Sequence, residues 1–90
     1  MATPGTEMLA LLVARFVKHT QFTLAERREV LHVARGFTSK DSARIERVPV
    51  ETIRTRRKLI YRKLGLSGAG ELLSRLLGLS LTMLARSERP

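Results

Sequence analysis

Six basic residues, Arg54, Arg56, Arg57, Lys58, Arg62 and Lys63, lie within ten positions, and no acid occurs between Thr52 and Gly70. Groups of this kind at this density suit a polyanion. Arginine can grip guanine in a bidentate fashion, lysine reaches a base or a phosphate, and Thr55 among them can hydrogen-bond a base or touch a thymine methyl. A solvated helix face ordinarily mixes both signs of charge, and this one does not. Other chemistry-bearing residues are scarce. With no cysteine, disulfides and thiolate zinc sites are excluded. The two histidines, His19 and His32, do not form a metal site by themselves, and both are expected at the surface. No nucleophile, base and orienting residue come together, so neither an enzyme nor a cofactor, metal or small-molecule ligand is expected. Gly65 and the Gly68-Ala69-Gly70 run lack the strand context of a phosphate-binding loop. Tyr61 is one of four aromatic residues, too few for a base-stacking platform.

The whole chain agrees with a nucleic-acid partner. Its 90 residues suffice for one domain, and 17 Lys+Arg against 8 Asp+Glu leave a net charge of +9. A hydrophobic fraction of 43% is too high for a disordered basic tail, so the charge belongs to a folded body. Residues 22–68 hold +7 of the total, while 1–21 and 69–90 hold +1 each. The longest apolar stretches, Met8–Ala14 and Leu76–Ala85, are shorter than the roughly 20 residues that span a bilayer. These features predict a soluble cytoplasmic protein with no membrane partner.

Helical spacing dominates and β-branched alternation is absent, so the expected class is all-α with five helices. The first is expected over about Glu7–His19. The second follows Thr23, where Thr23-Leu24-Ala25-Glu26 has the spacing of a capping box, and it closes at Gly36. The third starts at Thr38-Ser39-Lys40-Asp41, a similar cap with the shorter Asp, and ends near Arg47. The fourth follows Pro49, a residue suited to a first turn, and stops at Leu64-Gly65, and the fifth starts after Ser67 and runs to about Ala85. Segments three and four, two short helices joined by Arg47-Val48-Pro49, have the arrangement of a helix-turn-helix, in which one helix braces and the next enters the major groove. In the fourth, Ile53, Ile60, Leu64 and the stem of Arg57 should face the core. Arg54, Thr55, Lys58 and Arg62 then point the other way.

Two blocks carry a family resemblance: Glu26…Glu29-Val30-Leu31…Val33-Ala34…Gly36, and Thr52-Ile53-Arg54…Ile60-Tyr61-Arg62-Lys63-Leu64-Gly65-Leu66-Ser67. Together they resemble the LuxR/GerE-type helix-turn-helix domain, also the output domain of NarL/FixJ response regulators, over residues 22–73. The resemblance implies a four-helix DNA-binding domain that dimerises through its last helix and regulates bacterial transcription. It puts the scaffold helix at Thr38–Arg47 and the recognition helix at Val50–Leu64. Base reading then falls on Arg54, Thr55 and Lys58, the face that periodicity also selects. Thr52, Arg56, Arg57, Arg62 and Lys63 become phosphate contacts or their supports, and Lys40 a backbone contact. RNA polymerase and other regulators of this type are further candidate partners. The sequence departs from the family at Ser42 and Glu46, where apolar residues usually pack the scaffold helix, and at Pro49, where Ser is usual. Arg56 stands where His is common and Ala69 where Arg is common. Glu46 must be solvated, or paired with an arginine such as Arg47 or Arg57, unless Ala43, Ile45 and Val48 do the packing in its place.

Beyond the family module lie an extra N-terminal helix, within 1–21, and an extension of the C-terminal helix with its tail, 74–90. In the first helix Met8, Leu12 and Phe16 form one stripe, and Leu9, Val13 and Val17 another. In the last, Leu72, Leu76, Leu79 and Met83 form one stripe, and Leu73, Leu77, Leu81 and Leu84 another. Such breadth exceeds what one neighbour requires. The terminal helices either pack on each other within one chain or meet a second chain, most simply in a twofold dimer. The expected dimer interface is Leu12, Phe16, Leu72, Leu73, Leu76, Leu77, Leu81 and Leu84. The expected function is a stand-alone, sequence-specific, homodimeric regulator of double-stranded DNA, the initial Met suggesting a whole gene product. The competing expectation is an antagonist that pairs through its apolar helices with another regulator of the same fold, motivated by Ser42, Glu46 and Pro49.

Overall fold

The computed structural model describes residues 4–18 and 20–87. His19 and the side chain of Met8 lie outside the described residues. The described residues form five helices, α1 Pro4–Phe16, α2 Leu24–Ala34, α3 Ser39–Glu46, α4 Val50–Leu64 and α5 Ala69–Ser87, and no strand. The first helix begins and ends three residues earlier than spacing predicts; Pro4, suited to a first turn, can open it.

Local chemistry sets the other boundaries. Both capping boxes form: the Thr23 hydroxyl accepts from the Glu26 N–H, and the Glu26 carboxylate accepts from the Thr23 N–H. Thr38 and Asp41 repeat the exchange at α3, so the short aspartate closes its box as the longer glutamate does. Pro49 caps α4 without a side-chain hydrogen bond. At the other ends, α2, α3 and α4 close alike, with the N–H of Phe37, Val48 and Leu66 donating to the carbonyls of His32, Ala43 and Tyr61. This closure needs one left-handed residue. Gly36 (φ 82°) and Gly65 (φ 69°) supply it without strain, whereas at α3 it is Arg47, at φ 57°.

Helix α2 is central. It packs on α1, α4 and α5, while α3 packs mainly on α4 and α1 also touches α5. The apolar core combines Leu12, Val13 and Val17 of α1, Phe22, Val30 and Val33 around α2, Ile60 of α4, Leu66, and Leu72 and Leu76 of α5. Phe16, Leu79 and Met83 pack against it. The terminal helices therefore pack on each other within one chain. This corrects the expected interface: Leu12, Leu72 and Leu76 fill the chain's own core and Phe16 lies against it, because the α5 stripe containing Leu72 is the one turned toward α1 and α2. Leu73, Leu77, Leu81 and Leu84 remain outside, each at least 41% exposed. Among the described residues no helix is long and apolar enough to cross a membrane.

Candidate nucleic-acid interface

Helix α4 sorts its side chains by period. Ile53 and Ile60 are fully buried, Leu64 is half-buried, and Arg54, Thr55, Lys58 and Arg62 are exposed on the opposite side. Thr52 and Lys40 are exposed as well. Lys40, Lys58 and Arg62 enter no ion pair among the described residues, so their charges face solvent. Arg54 pairs only with Glu51, one turn earlier on the same exposed surface.

Of the remaining cations of the run, Arg56 and Arg57 turn inward, and Lys63, 36% exposed, folds back onto the start of α2. The Arg57 side chain is 12% exposed; its Nε donates to Glu29 Oε2 at 2.7 Å and its Nη2 to the Phe37 carbonyl at 2.7 Å. Arg56, 17% exposed, donates to Glu46 Oε1 at 3.0 Å. The Lys63 ammonium meets Glu26 Oε1 at 2.7 Å and the Gln21 carbonyl at 3.1 Å, above the Phe22 ring. Of the six positions the resemblance assigns to phosphate contact, Arg56, Arg57 and Lys63 thus act as supports that tie α4 to α2 and α3. Thr52, Lys40 and Arg62 stay open.

Behind the face lies a buried polar network that sequence reasoning missed in part. Glu29 is fully buried and accepts from Ser42 Oγ at 2.8 Å as well as from Arg57. His32, expected at the surface, is buried, its Nδ1 lying 3.3 Å from Glu29 Oε1 and 3.6 Å from Glu46 Oε2. The correction has a physical reason: carboxylates from its own and a neighbouring helix give the imidazole a hydrogen-bonding environment inside, and the Phe37 ring lies 5.4 Å away. Glu46 is neither solvated nor bound to Arg47 or Arg57; it pairs with Arg28 at 3.1 Å and Arg56 at 3.0 Å. Ser42 and Glu46 therefore meet their partners inside, while Ile45, which could have taken over the packing, is exposed and Ala43 is buried.

One ligand atom each from Glu29, His32 and Glu46 lie within 4.8 Å of one another, a spacing that could hold a cation, and Glu46 Oε2 is buried with no hydrogen bond. The electrostatics oppose a cation there. Arg28, Arg56 and Arg57 already bring three positive charges to two carboxylates, so a divalent ion would enter a site of excess positive charge.

Outside the network, three carboxyls sit below their ordinary range. Burial pushes Glu26 up, but hydrogen bonds from Lys63 and Thr23 outweigh it. Asp41 is lowered by its bonds from Thr38, and Glu71 by Ser67. Compared with protein-family models, curated proteins and solved structures, the chain matches none.

Proposed function

We propose that the chain is a sequence-specific regulator of bacterial transcription of the LuxR/GerE helix-turn-helix type, which binds double-stranded DNA as a homodimer in the cytoplasm and inserts α4 in the major groove. The observation that carries this reading is the separation of charge on α4: Arg54, Thr55, Lys58 and Arg62 share an exposed face while the other cations of the run are neutralised within the fold. A helix buried along one side and cationic along the other matches the shape and potential of a groove lined by phosphates and acceptor-rich base edges. Thr52, Lys40 and Arg62 are then the phosphate contacts. The exposed leucines of α5, at spacings of three and four, supply a surface for a second copy, and a twofold axis there would set two α4 helices about 34 Å apart on a palindromic site.

The antagonist reading rested on Ser42, Glu46 and Pro49 eroding the reading head. Ser42 and Glu46 are partnered in the network that holds α3 and α4, which removes most of that reason. A pure antagonist also has no evident use for an open cationic face. Retention of genomic fragments by the purified protein, followed by sequencing, tests the proposal. Enrichment of a palindromic motif supports it, and uniform weak retention overturns it in favour of the antagonist.

A further inference from the structure

Glu51 is the single acid of α4, and it lies on the exposed face. At about 100° per residue, Glu51, Arg54, Thr55, Lys58 and Arg62 fall within roughly 100° of the helix circumference, with Glu51 near the middle. Its side chain is 73% exposed and pairs with Arg54, itself 49% exposed. An acid in a first turn is favoured by the helix dipole wherever it points around the axis, so the dipole does not account for its position in the centre of a cationic stripe. On a surface that otherwise attracts phosphates, a carboxylate weakens binding to any duplex unless it meets a donor.

We propose that Glu51 is a specificity-determining residue that accepts a hydrogen bond from the N4 amino group of cytosine, in register with a guanine held by Arg54. The inference rests on the proposed DNA-binding function. In the major groove cytosine N4 is the donor that a carboxylate reads, and guanine O6 and N7 are the acceptors that arginine reads. The i, i+3 spacing stacks the two side chains one above the other on the helix surface. The ion pair orients the guanidinium fork before DNA arrives, and it sets carboxylate and guanidinium side by side for neighbouring positions of one G·C-containing step. Residues near the start of a recognition helix are those that reach base edges, which suits both positions. Against guanine or thymine at that position the carboxylate faces acceptors or a methyl group and is disfavoured, while adenine offers its N6 donor beside the N7 acceptor.

The test is selection from a randomised duplex library by the wild-type chain and by Glu51→Gln and Glu51→Ala, each verified as folded by circular dichroism. The expected result is a cytosine preference at one position of each half-site in the wild type that falls about tenfold in both variants, with severalfold tighter binding to unrelated duplexes because a negative charge has left the interface. Identical motifs for wild type and variants would overturn the role of Glu51 and leave the DNA-reading function standing. No motif for the wild type would overturn both.

Discussion

Arg57 and Lys58 are neighbours in the chain and carry the same charge, yet one lies against a fully buried carboxylate and the other faces solvent. The same division runs through the whole basic segment. Arg56, Arg57 and Lys63 each meet a glutamate from α2 or α3, while Lys58 and Arg62 meet none among the described residues. Helix α5 repeats the pattern in apolar form, with Leu72 and Leu76 buried and Leu73, Leu77 and Leu81 exposed. A run of like residues is therefore two populations, divided by the helix period. The inward set holds the fold together and the outward set is free to act on a partner. Counting charge along the sequence overstates what a ligand would meet.

The inward set depends most on Glu29. Glu29→Ala removes the acceptor of both Ser42 and Arg57 and leaves a buried guanidinium short of its counter-charge, so stability should fall by about 3–5 kcal/mol in denaturant unfolding. Lys58→Ala, one position from Arg57, should change stability by less than about 0.5 kcal/mol. If Glu29→Ala proves neutral, the network does not hold α3 and α4.

On the outward side, Arg54→Ala or Lys58→Ala should relax base preference and cost about 1–3 kcal/mol of specific binding each. Unchanged preference in both would remove them as base readers. Leu77→Lys, on the exposed stripe of α5, should shift the protein from dimer to monomer in sedimentation while the far-ultraviolet helical signal stays. A persisting dimer would move the interface elsewhere.

A smaller effect comes from acid. The Glu26, Asp41 and Glu71 carboxyls are lowered in the folded chain, so the stability they contribute is fully present above their ordinary values. It is lost as pH falls through the depressed ones. For Glu26, whose ordinary value is 4.5, thermal melts should show the loss beginning below that pH, and Glu26→Gln should flatten part of the slope. Equal acid sensitivity in the variant would mean that the Lys63–Glu26 pair does not contribute to stability. A modest gain is expected at Arg47, whose φ is 57°: Arg47→Gly relieves a left-handed residue and should stabilise α3 by about 1 kcal/mol, read as a rise in melting temperature.

Much of this fold was legible because its signals are local. Thr23 with Glu26, and Thr38 with Asp41, announce helix starts at a spacing of three, and Gly36 and Gly65 announce ends. The inward and outward faces of α4 followed from the period of Ile53 and Ile60. What the sequence hid was long-range partnership. His32 reads as a surface residue because a polar side chain is buried only when groups from elsewhere receive it, and Glu46 comes from a helix not yet placed. Glu46 itself found Arg28 and Arg56 rather than the arginines that seemed near. Leu12, Leu72 and Leu76 read as an interface because two apolar stripes side by side do not say which one the chain keeps for itself. Arg47 gave no sign of its left-handed backbone, since nothing in an arginine asks for one.

The measurement that bears most directly on the two populations of charge is the salt dependence of duplex binding for wild type and for Arg62→Ala. An outward cationic face on α4 predicts a steep fall in affinity with salt for the wild type, and a log–log slope shallower by about 0.9 once Arg62 is gone. A flat response in the wild type, or a slope that Arg62→Ala leaves unchanged, would contradict it.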